Sequence, residues 1–309
     1  MIKMKRRHFL QSIATTSMLT SVGMFPLHAI PQKDLIQLTI LHTNDVHSRI
    51  NPFPMDGSRN QGLGGAARRA TLIKTLRSQV THSLLLDAGD IFQGTPFFNV
   101  FGGELEFKLM SAMQYDAATI GNHDFDAGIE GLHQQLPHAN FPLINCNYDF
   151  SDTIMNGQVQ PYKIFKKGRL KIGVLGVGIE LKGLVPENHY KATQYKDPIK
   201  NANRVAKILK KEQQCDLVIC LSHLGYKYKD GTVSDVVLAA NSRNIDVIIG
   251  GHTHTFMKTA EEHKNLDGET VIINQVGWAG ILLGRLDFFF ERNKKGKCVS
   301  CENTLIQEV

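Results

Sequence analysis

Five short groups of side chains stand at the ends of apolar runs: Asp45-Val46-His47, Gly89-Asp90, Gly121-Asn122-His123-Asp124, Ser222-His223 and Gly250-Gly251-His252-Thr253-His254. Singly they mean little. An Asp-x-His is usually a polar loop, Gly-Asp is a common turn, and Asn122 alone could be a turn or a helix cap. Together they offer the carboxylate, amide and imidazole donors that two adjacent divalent cations need. Two-metal hydrolysis requires a carboxylate shared by both cations and further ligands for each. The cations then sit roughly 3.5–4 Å apart, where they stabilise both the attacking and the leaving oxygen. Imidazole with carboxylate suits Zn, Mn, Fe or Co rather than Ca. The glycines at 89, 121, 250 and 251 are expected to let the backbone turn sharply beside the ligands and to leave room for a phosphate.

For these groups to meet, the fold must carry them on loops at one end of a sheet. The pattern from Leu35 onward alternates strand and helix. Apolar runs predict strands at Leu38–Leu41, Ser83–Leu86, Ala117–Ile120, Pro142–Asn145, Leu217–Leu221 and Ile245–Ile249. Helices are predicted from Gly64 to about Gln79, Glu104 to Met113, Gly128 to Gln135, Ile199 to Lys211 and Ser234 to Ala240. Lys166-Lys167-Gly168-Arg169 between two β-rich runs reads as a hairpin. Val271–Phe290, rich in β-branched and aromatic residues, reads as a hairpin pair closing the sheet. The expected architecture is one α/β domain with two mixed β-sheets packed face to face and helices on the outside. Arg68 and Arg69 read as an exposed helix face, and His42, His82, His133 and His138 as ordinary surface or core residues.

The five groups, in this order, resemble the calcineurin-like metallophosphoesterase superfamily, whose fold is a four-layer αββα sandwich. Ile40-Leu41-His42-Thr43-Asn44-Asp45, Gly64-Gly65-Ala66-Ala67-Arg68-Arg69, Asn122-His123-Asp124-Phe125-Asp126 and Asn274-Gln275-Val276-Gly277 resemble its 5′-nucleotidase branch. The resemblance implies one cation held by Asp45, His47, Asp90 and His254, and a second held by Asp90, Asn122, His223 and His252. Asp90 would bridge them. His123 matches the family's catalytic histidine and would be oriented by Asp126 through a carboxylate–imidazole hydrogen bond. Asp124 stands where this branch more often carries Glu.

The implied reaction is hydrolysis of a nucleoside 5′-monophosphate or similar small phosphomonoester. A 2′,3′-cyclic nucleotide phosphodiesterase or a sulfur-oxidation-type thiohydrolase could use the same frame. The non-enzymatic alternative is a metal-binding subunit of a two-chain complex. Members of this branch carry a C-terminal domain that recognises the base, and the sequence stops at Val309, soon after the closing strands. That domain is expected to be absent, leaving either a broad phosphatase or a chain whose partner supplies it.

Residues 1–29 read as an export signal rather than as part of the fold. Lys5-Arg6-Arg7 precedes a mildly apolar run to Met24 and a small residue at Ala29, in the order of a twin-arginine signal directing the chain to the periplasm. The run is too short and too rich in Ser and Thr for a stable membrane span, with an uncleaved anchor as the alternative. Removing it changes the charge. The full chain has 35 Lys+Arg against 29 Asp+Glu; four of the basic residues precede residue 30, leaving 31 against 29, a net +2. No basic stripe with interleaved aromatics remains, which excludes a nucleic-acid partner. The roughly 280 residues left suffice for one large core. Cys215 and Cys220 bracket an apolar strand and are expected to be buried, whereas Cys298 and Cys301 could bridge after export or stay as thiols.

Overall fold

The computed structural model describes residues 35–291 and 297–307, with side chains at 297–299 left out. The segment 1–29 read as an export signal lies outside the described residues. So does the side chain of Cys298, and with it the Cys298–Cys301 bridge.

Two mixed sheets form the centre. The first contains β1 (Leu35–Thr43), β2 (Ser83–Asp87), β3 (Ala117–Ala118), β12 (Leu282–Glu291) and β13 (Lys297–Leu305), in the order β13-β12-β1-β2-β3. The second contains β5 (Tyr162–Lys167), β6 (Leu170–Gly178), β8 (Leu217–His223), β9 (Val247–Gly250), β10 (Glu261–Lys264) and β11 (Thr270–Asn274), in the order β10-β11-β9-β8-β6-β5. A small antiparallel pair, β4 (Tyr148–Asp149) with β7 (Gln194–Tyr195), stands apart. Within the first sheet β1, β2 and β3 run parallel, and within the second β6, β8, β9 and β11 do.

Alternation of side chains along each strand builds the layers. Leu84 and Leu86 join Leu38, Ile40 and Phe288 in the core between the sheets, meeting Ile172, Val174, Ile219 and Ile249 from the other sheet. Leu85, between them, faces outward onto a second core with Ile73, Phe107 and Ile129. These come from α1 (Ala66–Ser78), α3 (Glu104–Ala112) and α4 (Gly128–Gln135), with α2 (Pro96–Phe101) adding Phe98. On the opposite flank Val218 and Cys220 of β8 pack against α6 (Pro198–Lys207) and α7 (Asp235–Ala240), and α5 (Glu187–Tyr190) is a single turn. Ala202, Val205, Ala206 and Leu209 recur at the spacing of one helical face. Pro198 opens α6 behind Asp197, whose carboxylate accepts the Lys200 N–H. The four-layer sandwich is thus present, and Cys215 and Cys220 are buried as expected.

Three local readings need correction. Val271–Phe290 is not a hairpin: β11 pairs with β9 and β10, whereas β12 pairs with β1 and β13, so the chain crosses from one sheet to the other between them. Strand propensity marks such segments but does not choose their partners. Pro142–Asn145 makes isolated bridges, Leu143 to Ala118 and Ile144 to Gln160, instead of a strand. Arg69 is not on an exposed face but buried, with its guanidinium packed at Gly280. Among the described residues, no helix is long and apolar enough to cross a membrane.

Candidate metal centre

The carboxyl ends of β1, β2, β3, β8 and β9 converge at one end of the sandwich, where α/β sheets present ligand loops. Two clusters result. Asp45, His47 and His254 form one, with ligand atoms all within 4.8 Å of one another, and Asp90, His223 and His252 form the other. Asp90 stands between them: its Oδ2 lies 3.0 Å from His223 Nε2 and 3.8 Å from His47 Nε2. Its Oδ1 is turned away, accepting the His123 N–H at 2.8 Å. Asn122 is brought in beside His252, whose Nδ1 donates to Asn122 Oδ1 at 2.8 Å. His123 and Asp126 lie at the edge, with Nδ1 donating to the carboxylate at 2.9 Å, and the His123 ring is 5.3 Å from that of His47. All nine residues singled out in the sequence therefore share one location.

Backbone conformation carries an independent signal. Asp45, His47, Asp90, His252 and His254 all have positive φ, between 50° and 73°. L-residues rarely adopt this region, and each such position costs on the order of 1–3 kcal/mol unless its surroundings impose it. Here they do. Asp124, buried, accepts the N–H groups of Asp90, Ile91, Phe92 and Gly121 at 2.8–3.2 Å, fixing the Asp90 loop. The Asp45 carboxylate accepts the His252 N–H at 3.0 Å. Ser48, also at positive φ, donates to buried Glu106. Gln275 clamps the histidine loop, donating to Gly251 O at 2.6 Å and accepting the Thr255 N–H at 2.5 Å.

The glycines act by close approach rather than by opening space for phosphate. A Cβ on Gly89 would come within 2.7 Å of Gly121 N, and one on Gly121 would overlap Asp90 Oδ1. The room is filled by the ligands' own supports. Sequence reading missed the roles of Asp124, Gln275, Ser48 and Glu106. Asp124 and Gln275 do appear within quoted motifs, and that adjacency was the available signal.

Protonation follows from burial and neighbours. Burial works to raise the Asp90 carboxyl, but the His223 and His47 imidazoles outweigh it and hold it below the usual carboxylate range. Burial works to lower His223, yet Asp90 raises it to about 10. Burial lowers His252 to about 4, and it also lowers His47. The hydrogen bond to Asp126 raises His123. The donor set fits divalent transition metals. His223 Nε2 is buried and faces Asp90 Oδ2 at 3.0 Å, while its Nδ1 donates to Ala88 O at 2.7 Å. His47 Nδ1 likewise donates to Phe92 O at 3.3 Å. Such outer contacts fix the tautomer that leaves Nε2 to a metal.

A family model for calcineurin-like phosphoesterases matches residues 38–256. The chain is 35% identical over 279 residues to a snake venom 5′-nucleotidase from Crotalus adamanteus, covering 82% of this chain and 45% of that protein. It is 31% identical over 319 residues to a 5′-nucleotidase of Vibrio cholerae, covering 94% and 56% respectively. The fold superposes on the NAD nucleotidase of Haemophilus influenzae with a TM-score of 0.79 at 27% identity, over 89% of this chain and 51% of that one. The chain spans about half the length of the curated relatives it matches.

Proposed function

The chain belongs to the calcineurin-like phosphoesterase family, and from that premise we propose that it hydrolyses nucleoside 5′-monophosphates or similar small phosphomonoesters. The observation that carries this reading is the pair of three-ligand clusters meeting at Asp90 Oδ2, with His123 and Asp126 beside them. Asp45, His47, Asp90 and His254 would hold one divalent cation; Asp90, Asn122, His223 and His252 would hold the other. Bound there, two cations would neutralise the phosphoryl oxygens and acidify an attacking water.

The chain's own residues supply the rest. Asp126 fixes the His123 tautomer by accepting from Nδ1, so the other ring nitrogen is left to carry a proton toward the leaving oxygen. The raised His123 pKa favours the protonated ring, which suits an acid more than a base. Asp124 and Gln275 keep the ligand loops from relaxing, so the donors are in place before substrate arrives. Arg6 and Arg7 near the start of the sequence support export as the setting.

The test is a substrate panel with the purified full chain. AMP, p-nitrophenyl phosphate and 2′,3′-cyclic AMP are offered with Mn²⁺, Co²⁺ or Zn²⁺, with and without chelator. Chelator-sensitive release of phosphate from AMP is expected. Turnover of the cyclic nucleotide with none of AMP would transfer the assignment to a phosphodiesterase. No turnover of any ester with any of the metals would remove the enzymatic reading.

A further inference from the structure

Two of the four clustered imidazoles are oriented by an Nδ1 hydrogen bond to a backbone carbonyl, His47 to Phe92 O and His223 to Ala88 O, and His252 Nδ1 faces Asn122 Oδ1 at 2.8 Å. His254 has no such partner among the described residues. Its Nε2 instead faces His47 Nε2 at 3.0 Å and Asp45 Oδ1 at 3.4 Å. It is also the least sheltered member of its cluster, its side chain 40% exposed against 7% for His47 and 0% for Asp45. An imidazole that free would sample several rotamers and coordinate poorly.

What constrains it is an indole. Trp278, the sole tryptophan in the sequence, lies parallel to the His254 ring, with centroids 5.6 Å apart and planes 8° from coplanar. Trp278 sits on the crossing from β11 to β12, and both neighbouring residues are tied to the loop that carries Asp45. Gly277 O accepts from Asn44 Nδ2 at 2.6 Å, and the Ala279 N–H donates to Asp45 O at 2.7 Å. Phe53 packs edge-on against the indole at 5.8 Å, and the Arg49 guanidinium lies 4.2 Å over Phe53. Arg49 N in turn donates to Val46 O at 3.0 Å. The stack Arg49–Phe53–Trp278–His254 thus begins and ends on segments that carry this cluster.

We propose that Trp278 is a positioning residue for the cation site formed by Asp45, His47 and His254, fixing the imidazole plane that no hydrogen bond fixes. The inference rests on the two-cation reading given above. A second consequence is optical: occupancy of this site alters the surroundings of the one indole in the chain, so its emission reports that site and not the one around His223.

The test uses the full chain stripped with chelator and titrated with Co²⁺, following bound metal per chain and tryptophan emission. Trp278→Ala is expected to weaken one of two binding equivalents about tenfold, the loss usual for an outer-shell support, and to leave the other unchanged. Trp278→Phe, which keeps an aromatic face, should recover most of it. In the wild type, emission should change with the equivalent that His254→Ala removes and not with the one that His223→Ala removes. Two equivalents of wild-type affinity in Trp278→Ala would overturn the proposal, as would emission that follows the His223 site. Should Trp278→Ala fail to fold, the emission titrations and Trp278→Phe decide the matter. A wild-type chain that binds no Co²⁺ would instead bring down the two-cation reading itself.

Discussion

The two oxygens of Asp90 have separate duties. One is spent on the backbone of His123, and the other faces both clusters. Asp90→Asn keeps an acceptor for that backbone bond but loses the shared negative charge. Activity and metal content are therefore expected to fall together, turnover by about 10³-fold or more, in an otherwise folded protein. Assay and elemental analysis on the same sample check this. His123 makes the opposite case, because its side chain bonds Asp126 and no candidate ligand. His123→Ala should leave metal content unchanged while slowing turnover by ~10²–10⁴-fold; a parallel loss of metal would show that the ring helps hold the cations. The convergence of these nine residues on one location was legible in the sequence, because two-metal chemistry would need such side chains at the ends of successive strands. Asp124 was legible only as a motif position. Its work is done on four N–H groups, and a backbone contact leaves no spacing by which to recognise it.

At the scale of elements, the centre depends on how tightly the β2 and β3 loops approach each other. Gly121 faces the nitrogen and carboxylate of Asp90 with no space for a methyl group. Gly121→Ala should therefore destabilise the fold by roughly 1–3 kcal/mol and reduce metal content. Urea unfolding, with metal analysis alongside, would expose a neutral outcome. The parallel strands were legible for the same reason the core is: Leu84, Leu85 and Leu86 alternate between two apolar layers, and both layers demand apolar side chains. The link from β11 to β12 was not. Val271–Asn274 and Leu282–Phe290 have the composition of paired strands, yet their hydrogen bonds go to different sheets. Pairing is settled by distant partners, β9 for one and β1 for the other, and nothing within the segment names them.

For the molecule as a whole, the centre joins its two halves. Asp45, Asp90 and Asn122 follow strands of one sheet, and His223, His252 and His254 come from the other. Cations bound between them would stabilise the folded state alone. At a free concentration 100-fold above Kd the gain is about 2.7 kcal/mol per site, so chelation should lower Tm by roughly 5–10 °C. Calorimetry with and without chelator measures it, and an unchanged Tm would mean that the sheets are held together without the metals. The general class of reaction was legible, since its motifs lie within residues 38–256, the span that the family model matches.

The left-handed backbone at Asp45, His47, Asp90, His252 and His254 sets a direction of drift. At the three histidines glycine would relax the turn and remove a donor in the same step, so there robustness and chemistry pull against each other. A lineage freed from selection for hydrolysis would be expected to accumulate glycine there, becoming sturdier as it falls silent.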